Sequence, residues 1–282
     1  MIPSTVSPAE HKYLGEDGLH TFVVPAYGRS PHLADCLASL QAQTSHSPVV
    51  VATSTPWDGL ESLVAGFGAT LALHAPNAGI GRDWNFALSQ ASSRWVTIAH
   101  QDDIYYPRFL EETLRVASLV PDASLVVTDY DELVGDRIRS AWFLRMKRML
   151  MEAGFLGRTA IHSRRSKLNC LRLGNSIPCP AVTLNRVKAK FEFDEAMRVN
   201  LDWKAWIELA KQDGAFVRVR EHLMAHRIHE DSETSETLRS GHRVSEDKEI
   251  LESLWPNWIA RCIGRAYALA YLSNSDNLGL SK

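Results

Sequence analysis

The feature that most constrains the fold of this chain is a regular alternation of short apolar runs and helical patterns in its first half. Apolar runs occupy residues 21–25, 49–52, 70–73 and 95–99, and the segments between them carry apolar residues at helical spacing. This alternation is typical of βαβ units. It predicts the α/β class, with a doubly wound, mostly parallel sheet.

The composition and charge are those of an ordinary globular protein. Lysine and arginine number 31 and aspartate and glutamate 33 in 282 residues, and the net charge of -2 gives no reason to expect nucleic acid as a partner. The four cysteines lack the spacing of zinc ligands, so a reducing, cytoplasmic compartment is expected. No signal peptide or membrane span is expected, because the N-terminus lacks a basic head before an apolar core and two arginines interrupt residues 255–272.

Changes of composition predict three regions. Residues 1–18 form a tail rich in serine, proline and charge, residues 19–235 the α/β domain, and residues 236–282 a helical extension. Inside the domain, residues 137–172 contain ten lysines and arginines against one acid, Glu152. An amphipathic helix in that segment would be an ordinary helix packed on the core, a mobile lid over a site, or a contact with an anionic membrane surface.

Two adjacent carboxylates, Asp102 and Asp103, directly follow the apolar run 95–99, and Pro107 then opens a helical pattern. Ligands of open α/β sheets bind at this carboxyl end of the strands. The two carboxylates could hold a hard divalent cation that carries a nucleotide diphosphate, or they could form a solvated turn before the helix. The residue pair alone leaves these alternatives even.

Glycine placement excludes one class of nucleotide. A dinucleotide-binding fold needs a glycine-rich turn after the first strand, and the loop after residues 21–25 contains only Gly28. NAD binding is therefore not expected. A nucleotidyltransferase usually has a glycine-rich basic loop at the same place, and residues 26–30 contain too few glycine and basic residues to form one.

Four segments, in this order along residues 21–234, resemble glycosyltransferase family 2, the inverting sugar-nucleotide transferases of the GT-A fold. The resemblance implies a nucleotide-diphosphate-sugar donor, a Mg²⁺ or Mn²⁺ ion, and an acceptor hydroxyl on a saccharide or lipid-linked saccharide. The segments are Val23-Val24-Pro25-Ala26-Tyr27, Asn77-Ala78-Gly79 through Asn85-Phe86-Ala87-Leu88, His100-Gln101-Asp102-Asp103, and Leu201-Asp202-Trp203.

The resemblance also implies roles for single residues. Asp102 falls where the family binds its metal ion, and Asp202 falls at the position of the catalytic base, near the start of a helix. A first-turn residue favoured by the helix dipole is the alternative for Asp202. His229 would be a further metal ligand, a pyrophosphate donor or a loop histidine. His100 replaces the family's first aspartate, which leaves the ribose contact open.

Further residues are implied to bind the two substrates. Many members read the nucleotide base with an aspartate where this chain has Thr53 and Ser54, so the base cannot be named. Arg82 and Asp83 are either nucleotide contacts or a surface ion pair. The implied donor-binding residues are Pro25, Ala26, Tyr27, Arg29, Thr53, Ser54, Asn77, Arg82, Asp83, Gln101, Asp103 and Arg227, and the implied acceptor-binding residues are Cys179, Pro180 and Trp203.

The function predicted from the sequence is inverting, metal-assisted glycosyl transfer in polysaccharide biosynthesis, in the cytoplasm or peripherally at the inner face of the membrane. A second acidic pair, Asp129 and Asp131, is assigned to structure because the resemblance places the metal motif earlier. The rivals are a nucleotidyltransferase and a catalytically inactive saccharide- or nucleotide-binding relative. His100 and Ala52 favour the inactive relative, whereas the retained Asp102 and Asp202 speak against it.

Overall fold

The computed structural model describes residues 18–139, 142–229 and 242–277. Its strands are β1 (His20–Ala26), β2 (Val49–Thr53), β3 (Thr70–Leu73), β4 (Trp95–Ile98), β5 (Ile104–Tyr105), β6 (Ala123–Val134), β7 (Arg137–Arg139), β8 (Ala160–Ile161), β9 (Val182–Asn185) and β10 (Ala215–Ile228). Its helices are α1 (Leu33–Gln41), α2 (Leu60–Gly66), α3 (Ile80–Ser89), α4 (Phe109–Leu119), α5 (Trp142–Phe155), α6 (Arg164–Asn169), α7 (Leu201–Lys211), α8 (His242–Leu254) and α9 (Asn257–Asn277), with a 3₁₀ turn at Cys179–Ala181.

The strands form one mixed sheet in the order β3-β2-β1-β4-β9-β6-β10-β5, with β7 added beside β6 and β8 beside β10. Strands β3, β2, β1 and β4 are parallel. Strand β9 is antiparallel to both β4 and β6, and β10 runs parallel to β6. The predicted α/β class and mostly parallel sheet are confirmed, and β9 places residues 179–185 directly beside the end of β4.

The helices pack because their apolar stripes face the sheet. Leu33, Leu37 and Leu40 of α1 are all buried, as their helical spacing predicts. On the neighbouring α4, Phe109 is fully buried and lies 4.8 Å, ring centre to ring centre, from Tyr105. Each such side chain contributes about 1.5–3 kcal/mol on burial. These contacts fix the loops at the carboxyl ends of β1 and β4.

Two strands extend well beyond the apolar runs from which they were predicted. The apolar runs at residues 125–128 and 216–219 predict two short strands, whereas β6 covers Ala123–Val134 and β10 covers Ala215–Ile228. The sequence also predicts a polar segment at residues 225–232. Residues 225–228 of this segment belong to β10, and residues 230–232 lie outside the described residues. The two strands tolerate charges because they lie side by side and supply each other's partners.

Helix α3 begins at Ile80, two residues earlier than the predicted start at Arg82. Gly79, immediately before it, has a φ of 104°, a conformation that glycine adopts without strain. The side chain of Asn85 holds the segment before α7, since it donates to the carbonyl of Phe193 at 2.9 Å and accepts from the Phe193 N–H at 2.8 Å. Helix α3 is thereby connected to the segment that leads into α7.

The described parts of the basic segment, residues 137–139 and 142–172, pack against the domain. In α5, Leu144, Met151 and Phe155 are buried, and Glu152 forms an ion pair with Arg218 of β10 at 2.7 Å. The two closing helices that the sequence predicts correspond to α8 and α9. No helix in the described part of the chain is long and apolar enough to span a bilayer.

Candidate active site

Asp102 lies in the loop after β4 and is bracketed by two side chains from distant segments. Its Oδ1 accepts a hydrogen bond from the hydroxyl of Ser30 at 2.8 Å. Its Oδ2 lies 3.2 Å from Nε2 of His229, the residue that follows β10. Both side chains of this pair are about one quarter exposed, at 24% for Asp102 and 22% for His229. A ligand can therefore reach them.

The arrangement of Asp102 and His229 fits a divalent metal ion. Two adjacent ligands of an octahedral ion at about 2.1 Å would be roughly 3.0 Å apart, which is close to the separation of the two atoms here. No group of three or more histidine, cysteine or acidic side chains in the described residues is arranged to hold a metal. Since Mg²⁺ usually takes one or two protein ligands and completes its shell with substrate phosphates, two protein ligands suffice at a nucleotide site.

Asp103 is fully buried and anchors the end of β10. Its carboxylate accepts from Nδ1 of His226 at 3.0 Å and from the backbone N–H of Arg227 at 2.9 Å. Burial alone would raise the pKa of Asp103 and lower that of His226, but their mutual attraction outweighs it in both cases. The pKa of Asp103 is therefore lowered and that of His226 raised, so the pair is ionic.

Arg227 ties the same two segments together. Its Nε donates to the backbone carbonyl of Asp102 at 2.9 Å, and its Nη2 lies 3.4 Å from a carboxylate oxygen of Asp35. The side chain is 10% exposed and that of Asp35 61%. The guanidinium therefore positions the loop that carries Asp102, and its Nη2 faces a solvated carboxylate.

Asp202 occupies the first turn of α7, where the positive end of the helix dipole favours a carboxylate. Its Oδ2 accepts from the Asn175 amide at 2.7 Å, and its Oδ1 accepts from the backbone N–H of Trp203 at 2.7 Å. Burial raises the pKa of Asp202, while these hydrogen bonds and the charges of Arg243 and Lys147 oppose the shift. A carboxylate with a raised pKa and a fixed orientation is a stronger base than an ordinary aspartate and is suited to accept a proton.

Cys179 connects the two acidic centres. Cys179 is the first residue of the 3₁₀ turn. Its thiol is buried, and burial raises its pKa well above the usual range. The negative charges of Asp202 and Asp103 raise the same pKa further. The contacts of the same segment agree, because Asn175 donates to Asp202 at 2.7 Å and the carbonyl of Pro180 accepts from the hydroxyl of Tyr105, two residues after Asp103, at 2.8 Å. The two centres that the sequence identified therefore share one region of the molecule.

On the donor side, the loop after β1 is held by Gln101. The Gln101 amide donates to the Tyr27 carbonyl and accepts from the Tyr27 N–H, both at 3.2 Å. The Tyr27 ring is 62% exposed. The guanidinium of Arg29 lies 5.0 Å from the ring centre of Trp57. An exposed aromatic ring and an exposed cation thus border the loop.

The residues that end β2 carry hydroxyl groups and no charge. Thr53 is buried, and its hydroxyl accepts from the backbone N–H of Thr55 at 3.0 Å. The hydroxyl of Ser54 is buried and has no hydrogen-bond partner within the described residues. A free buried hydroxyl at this position can serve a bound ligand.

Several other residues that the resemblance implied for the donor have structural partners. Asp83 is buried and pairs with His74 at 3.0 Å, not with Arg82, so the alternative of a surface ion pair between Arg82 and Asp83 is wrong. Asn77 is exposed and its side chain accepts from the Gly79 N–H at 3.2 Å, within its own loop. Pro25 and Ala26 form the end of β1.

The three residues implied for the acceptor are buried. Pro180 accepts from the hydroxyl of Tyr105 at 2.8 Å through its carbonyl, and the indole N–H of Trp203 donates to the carbonyl of Leu171 at 2.9 Å. The Trp203 side chain is 2% exposed, like that of Cys179. These residues therefore lie in the protein interior, where they support the region between Asp102 and Asp202.

The second acidic pair is engaged in structure, as predicted. The Asp129 carboxylate accepts from Nε and Nη2 of Arg218, both buried, at 3.1 and 3.0 Å. Asp131 accepts from the Tyr106 hydroxyl at 2.9 Å and lies 2.6 Å from Nδ1 of His222. Both carboxylates are therefore engaged by protein side chains.

Three residues at the site were missed by the sequence interpretation. Ser30 and Asn175 hold the two key carboxylates, and Lys147 of α5 acts electrostatically on Asp202 and His226. Ser30 stands in the loop after the first strand, next to Pro31, which is a weak signal of a functional loop. Asn175 and Lys147 have no local pattern that distinguishes them from surface residues.

Comparison with known proteins agrees with this geometry. The model of the family described as Glycosyl transferase family 2 matches residues 21–189, more than half of the chain. A protein of Rickettsia typhi, named an uncharacterized glycosyltransferase, is 19% identical over 245 residues, which are 86% of this chain and 72% of that protein. A protein of Rickettsia prowazekii with the same description covers the same shares at 19% identity.

Solved structures resemble the chain in fold. S. aureus TarS 1-349 in complex with UDP-GlcNAc has a TM-score of 0.60 at 15% identity over 84% of this chain and 71% of its own. The mannosyltransferase PcManGT from Pyrobaculum calidifontis, in complex with GDP-Man and Mn2+, has a TM-score of 0.58 at 15% identity over 97% of this chain and 86% of its own. The chain covers 39% of a longer TarS structure. The predicted GT-A fold is confirmed. The chain belongs to glycosyl transferase family 2 and is a glycosyltransferase.

Proposed function

We propose that this glycosyltransferase moves a sugar from a nucleotide-diphosphate-sugar donor to a hydroxyl group of a saccharide or lipid-linked saccharide, by direct displacement with inversion. The observation that carries the proposal is the proximity of two acidic centres with different surroundings. One is the polar pair of Asp102 and Asp103 after β4, and the other is the partly buried Asp202 on α7. One short segment contacts both, because Asn175 donates to Asp202 and the carbonyl of Pro180 accepts from Tyr105, two residues after Asp103. Such a pair separates donor activation from proton removal.

Donor binding would use the loop ends of β1, β2 and β4. The similar TarS and PcManGT structures are in complex with UDP-GlcNAc and GDP-Man, which supports a nucleotide sugar as the donor class. In this chain the exposed Tyr27 ring and the free Ser54 hydroxyl are the groups available to a nucleoside. Neither selects one base by charge, so the base is left open.

Asp102 and His229 would hold Mg²⁺ or Mn²⁺. When bound, the ion would neutralise charge on the departing diphosphate as a Lewis acid. Ser30 fixes one carboxylate oxygen of Asp102 and leaves the other directed at His229. The ion pair of Asp103 with His226 holds the end of β10, and with it His229, against the β4 loop.

Asp202 would accept the proton of the acceptor hydroxyl as that oxygen attacks the anomeric carbon. Asn175 orients the carboxylate, because its amide donates to Oδ2 and its own carbonyl oxygen is held by the Ile177 N–H at 3.2 Å. The Lys147 and Arg243 charges favour the ionised form that a base needs. The sugar and the acceptor hydroxyl would meet between these groups and the metal site.

The substitution Asp202→Asn tests the proposal. It keeps the shape of the side chain and removes the base, so kcat for transfer should fall by about 100- to 10,000-fold. Donor binding should persist, measured as the thermal stabilisation by nucleoside diphosphates with Mn²⁺. Glu208→Gln, an exposed carboxylate of the same helix, is the matched control and should change neither quantity. Full transfer activity in Asp202→Asn would refute the assignment of the base.

A cytoplasmic location, with peripheral contact to the inner face of the membrane, is part of the proposal. All four cysteines are free thiols, and three of them are buried, which suits a reducing compartment. The basic face of α5 supports contact with anionic surfaces. Cell fractionation checks this: recovery only from an extracytoplasmic fraction would refute the location.

A further inference from the structure

A small cavity of about 100 Å³ opens between β6, β7, α5 and β10. Its polar lining consists of Asp131, Arg139, Arg145, Arg148 and His222, and two aliphatic side chains complete it. Arg145 and Arg148 are three residues apart on α5 and therefore share one face of that helix. We call this the α5 pocket.

The α5 pocket has an excess of positive charge. Asp131, its carboxylate, is already engaged by the Tyr106 hydroxyl and His222. Arg139 pairs with Glu132 outside the pocket at 2.9 Å. Within the described residues, neither Arg145 nor Arg148 forms an ion pair with a carboxylate. Arg148 donates only to the backbone carbonyl of Tyr130 at 3.1 Å, so its guanidinium keeps further N–H donors.

Tyr130 connects the α5 pocket to His226, on the side of the site where the acceptor is proposed to bind. Lys147, the residue before Arg148, donates to the Tyr130 hydroxyl at 3.2 Å, and its charge also acts on Asp202 and His226. The ring of Tyr130 lies 6.4 Å, centre to centre, from that of His226. A molecule whose hydroxyl lies at Asp202 could therefore extend past Tyr130 toward the two arginines.

We infer that the α5 pocket binds an anionic group, phosphate or carboxylate, of the acceptor, at a position separate from the hydroxyl that is glycosylated. Guanidinium groups hold such groups through two parallel charge-assisted hydrogen bonds. A cavity of about 100 Å³ has room for one group of this size. The inference rests on the proposed function and narrows its acceptor class to anionic saccharides.

Calorimetric titration of the full chain tests the inference. The donor site is first filled with Mn²⁺ and the nucleoside diphosphate that stabilises the protein most, and glucose 6-phosphate, glucuronate and glucose are then titrated. The two anions should bind at least about tenfold more tightly than glucose. Arg145→Gln should weaken anion binding, and Arg145→Gln/Arg148→Gln should reduce it by about tenfold or more.

The matched control is Arg165→Gln, which removes an exposed arginine of the same basic segment outside the pocket and should leave anion binding unchanged. Equal binding of glucose and the anions, or equal losses in Arg165→Gln and Arg145→Gln, would overturn the inference. So would loss of binding to phosphatidylglycerol vesicles by the double variant without any sugar-phosphate binding, since the arginines would then serve a membrane. Failure of every nucleoside diphosphate to stabilise the chain would instead count against the proposed function.

Discussion

Asp202 is subject to two opposing influences, and their balance sets the pH at which it can act. Burial raises its pKa, and the N–H of Trp203, the Asn175 amide and two nearby cations lower it. The net direction is upward. Since a general base must be ionised, the transfer rate should fall as the pH drops through this raised pKa.

The transfer rate should fall at acid pH, and the substitution Lys147→Met should shift this acid limb of the pH profile to higher pH. The lysine charge stabilises ionised Asp202, so its removal raises the pKa of the carboxyl further. The pH profile of kcat measures the shift. Lys188→Met, which removes an exposed lysine after β9, is the control and should leave the profile in place. A limb that moves to lower pH, or not at all, would contradict the role given to Lys147.

His20 should make the stability of the protein depend on pH. Its ring is buried between the hydroxyls of Ser47 and Thr97, at 2.9 and 2.8 Å, and burial lowers its pKa to about 3. Unfolded, it titrates near 6.5. The contribution of the neutral, buried His20 ring to the free energy of unfolding is complete above pH 6.5. It is lost progressively as the pH falls toward 3, because in this range only the unfolded chain takes up the proton.

Urea unfolding at pH 7 and pH 5 in wild type and His20→Asn checks this expectation. The wild type should lose about 1–2 kcal/mol more between these pH values than the variant does, since each pH unit of differential protonation is worth about 1.4 kcal/mol. An equal loss in both proteins would assign the pH dependence to other groups.

The candidate site was predictable from sequence in its carboxylates but not in their partners. Asp102 and Asp202 stand in motifs with a recognisable order. Ser30 and Asn175 reach them across long stretches of chain, and a lone hydroxyl or amide has no local signature. The pairing of Asp83 with His74 was missed for the same reason.

At the scale of elements, β6 and β10 are held together by a buried ionic cluster. Arg218 of β10 is 4% exposed and binds Asp129 of β6 through two nitrogens, and its Nη1 donates to Glu152 of α5 at 2.7 Å. Arg220, two residues further, joins the same glutamate from a more exposed position. One arginine therefore connects two strands and the basic helix.

Arg218→Met should cost about 3–5 kcal/mol of unfolding free energy, because it leaves the Asp129 carboxylate buried without a partner. Arg220→Met, whose side chain is 37% exposed, should cost less than about 1 kcal/mol. Urea denaturation curves with unchanged slope measure both values. Similar losses in the two variants would argue against a buried role specific to Arg218.

The elements that sequence periodicity predicts best are those with uniform surroundings. The runs of β2 and β3 and the stripe of α1 were placed within a residue or two because one face is simply apolar. The sequence pattern predicts only the first part of β10, because its second half carries many polar residues whose partners, in β5, β6 and the loop after β4, are distant in sequence. The position of β9 between β4 and β6 depends on long-range pairing that no local pattern encodes.

On the scale of the whole molecule, the C-terminal helices reach back to the proposed base. Glu246 of α8 accepts hydrogen bonds from three successive backbone N–H groups, those of Arg198, Val199 and Asn200, at 2.8–3.0 Å. Asn200 is the residue before α7 and also donates to Asp247 at 2.8 Å. The start of the helix that carries Asp202 is thus fixed by a segment more than forty residues later.

Glu246→Ala should therefore lower both stability and turnover. Loss of three N–H partners should cost about 1–3 kcal/mol, and the looser start of α7 should reduce kcat more than donor affinity. Glu249→Ala, on the same helix and 67% exposed, is the control. Unfolding curves and steady-state kinetics give the two readouts. A variant with reduced stability and normal kcat would limit Glu246 to a purely structural role.

The Glu246 contact also restricts how freely such enzymes can exchange parts. A chimera that keeps residues 19–235 and replaces the helices after them would leave three backbone N–H groups without acceptors next to Asp202, the proposed base. Only a replacement helix that brings an equivalent carboxylate could restore the alignment. The C-terminal appendage and the loop at 198–200 should therefore be grafted together, as one cassette, in any attempt to transplant specificity between relatives.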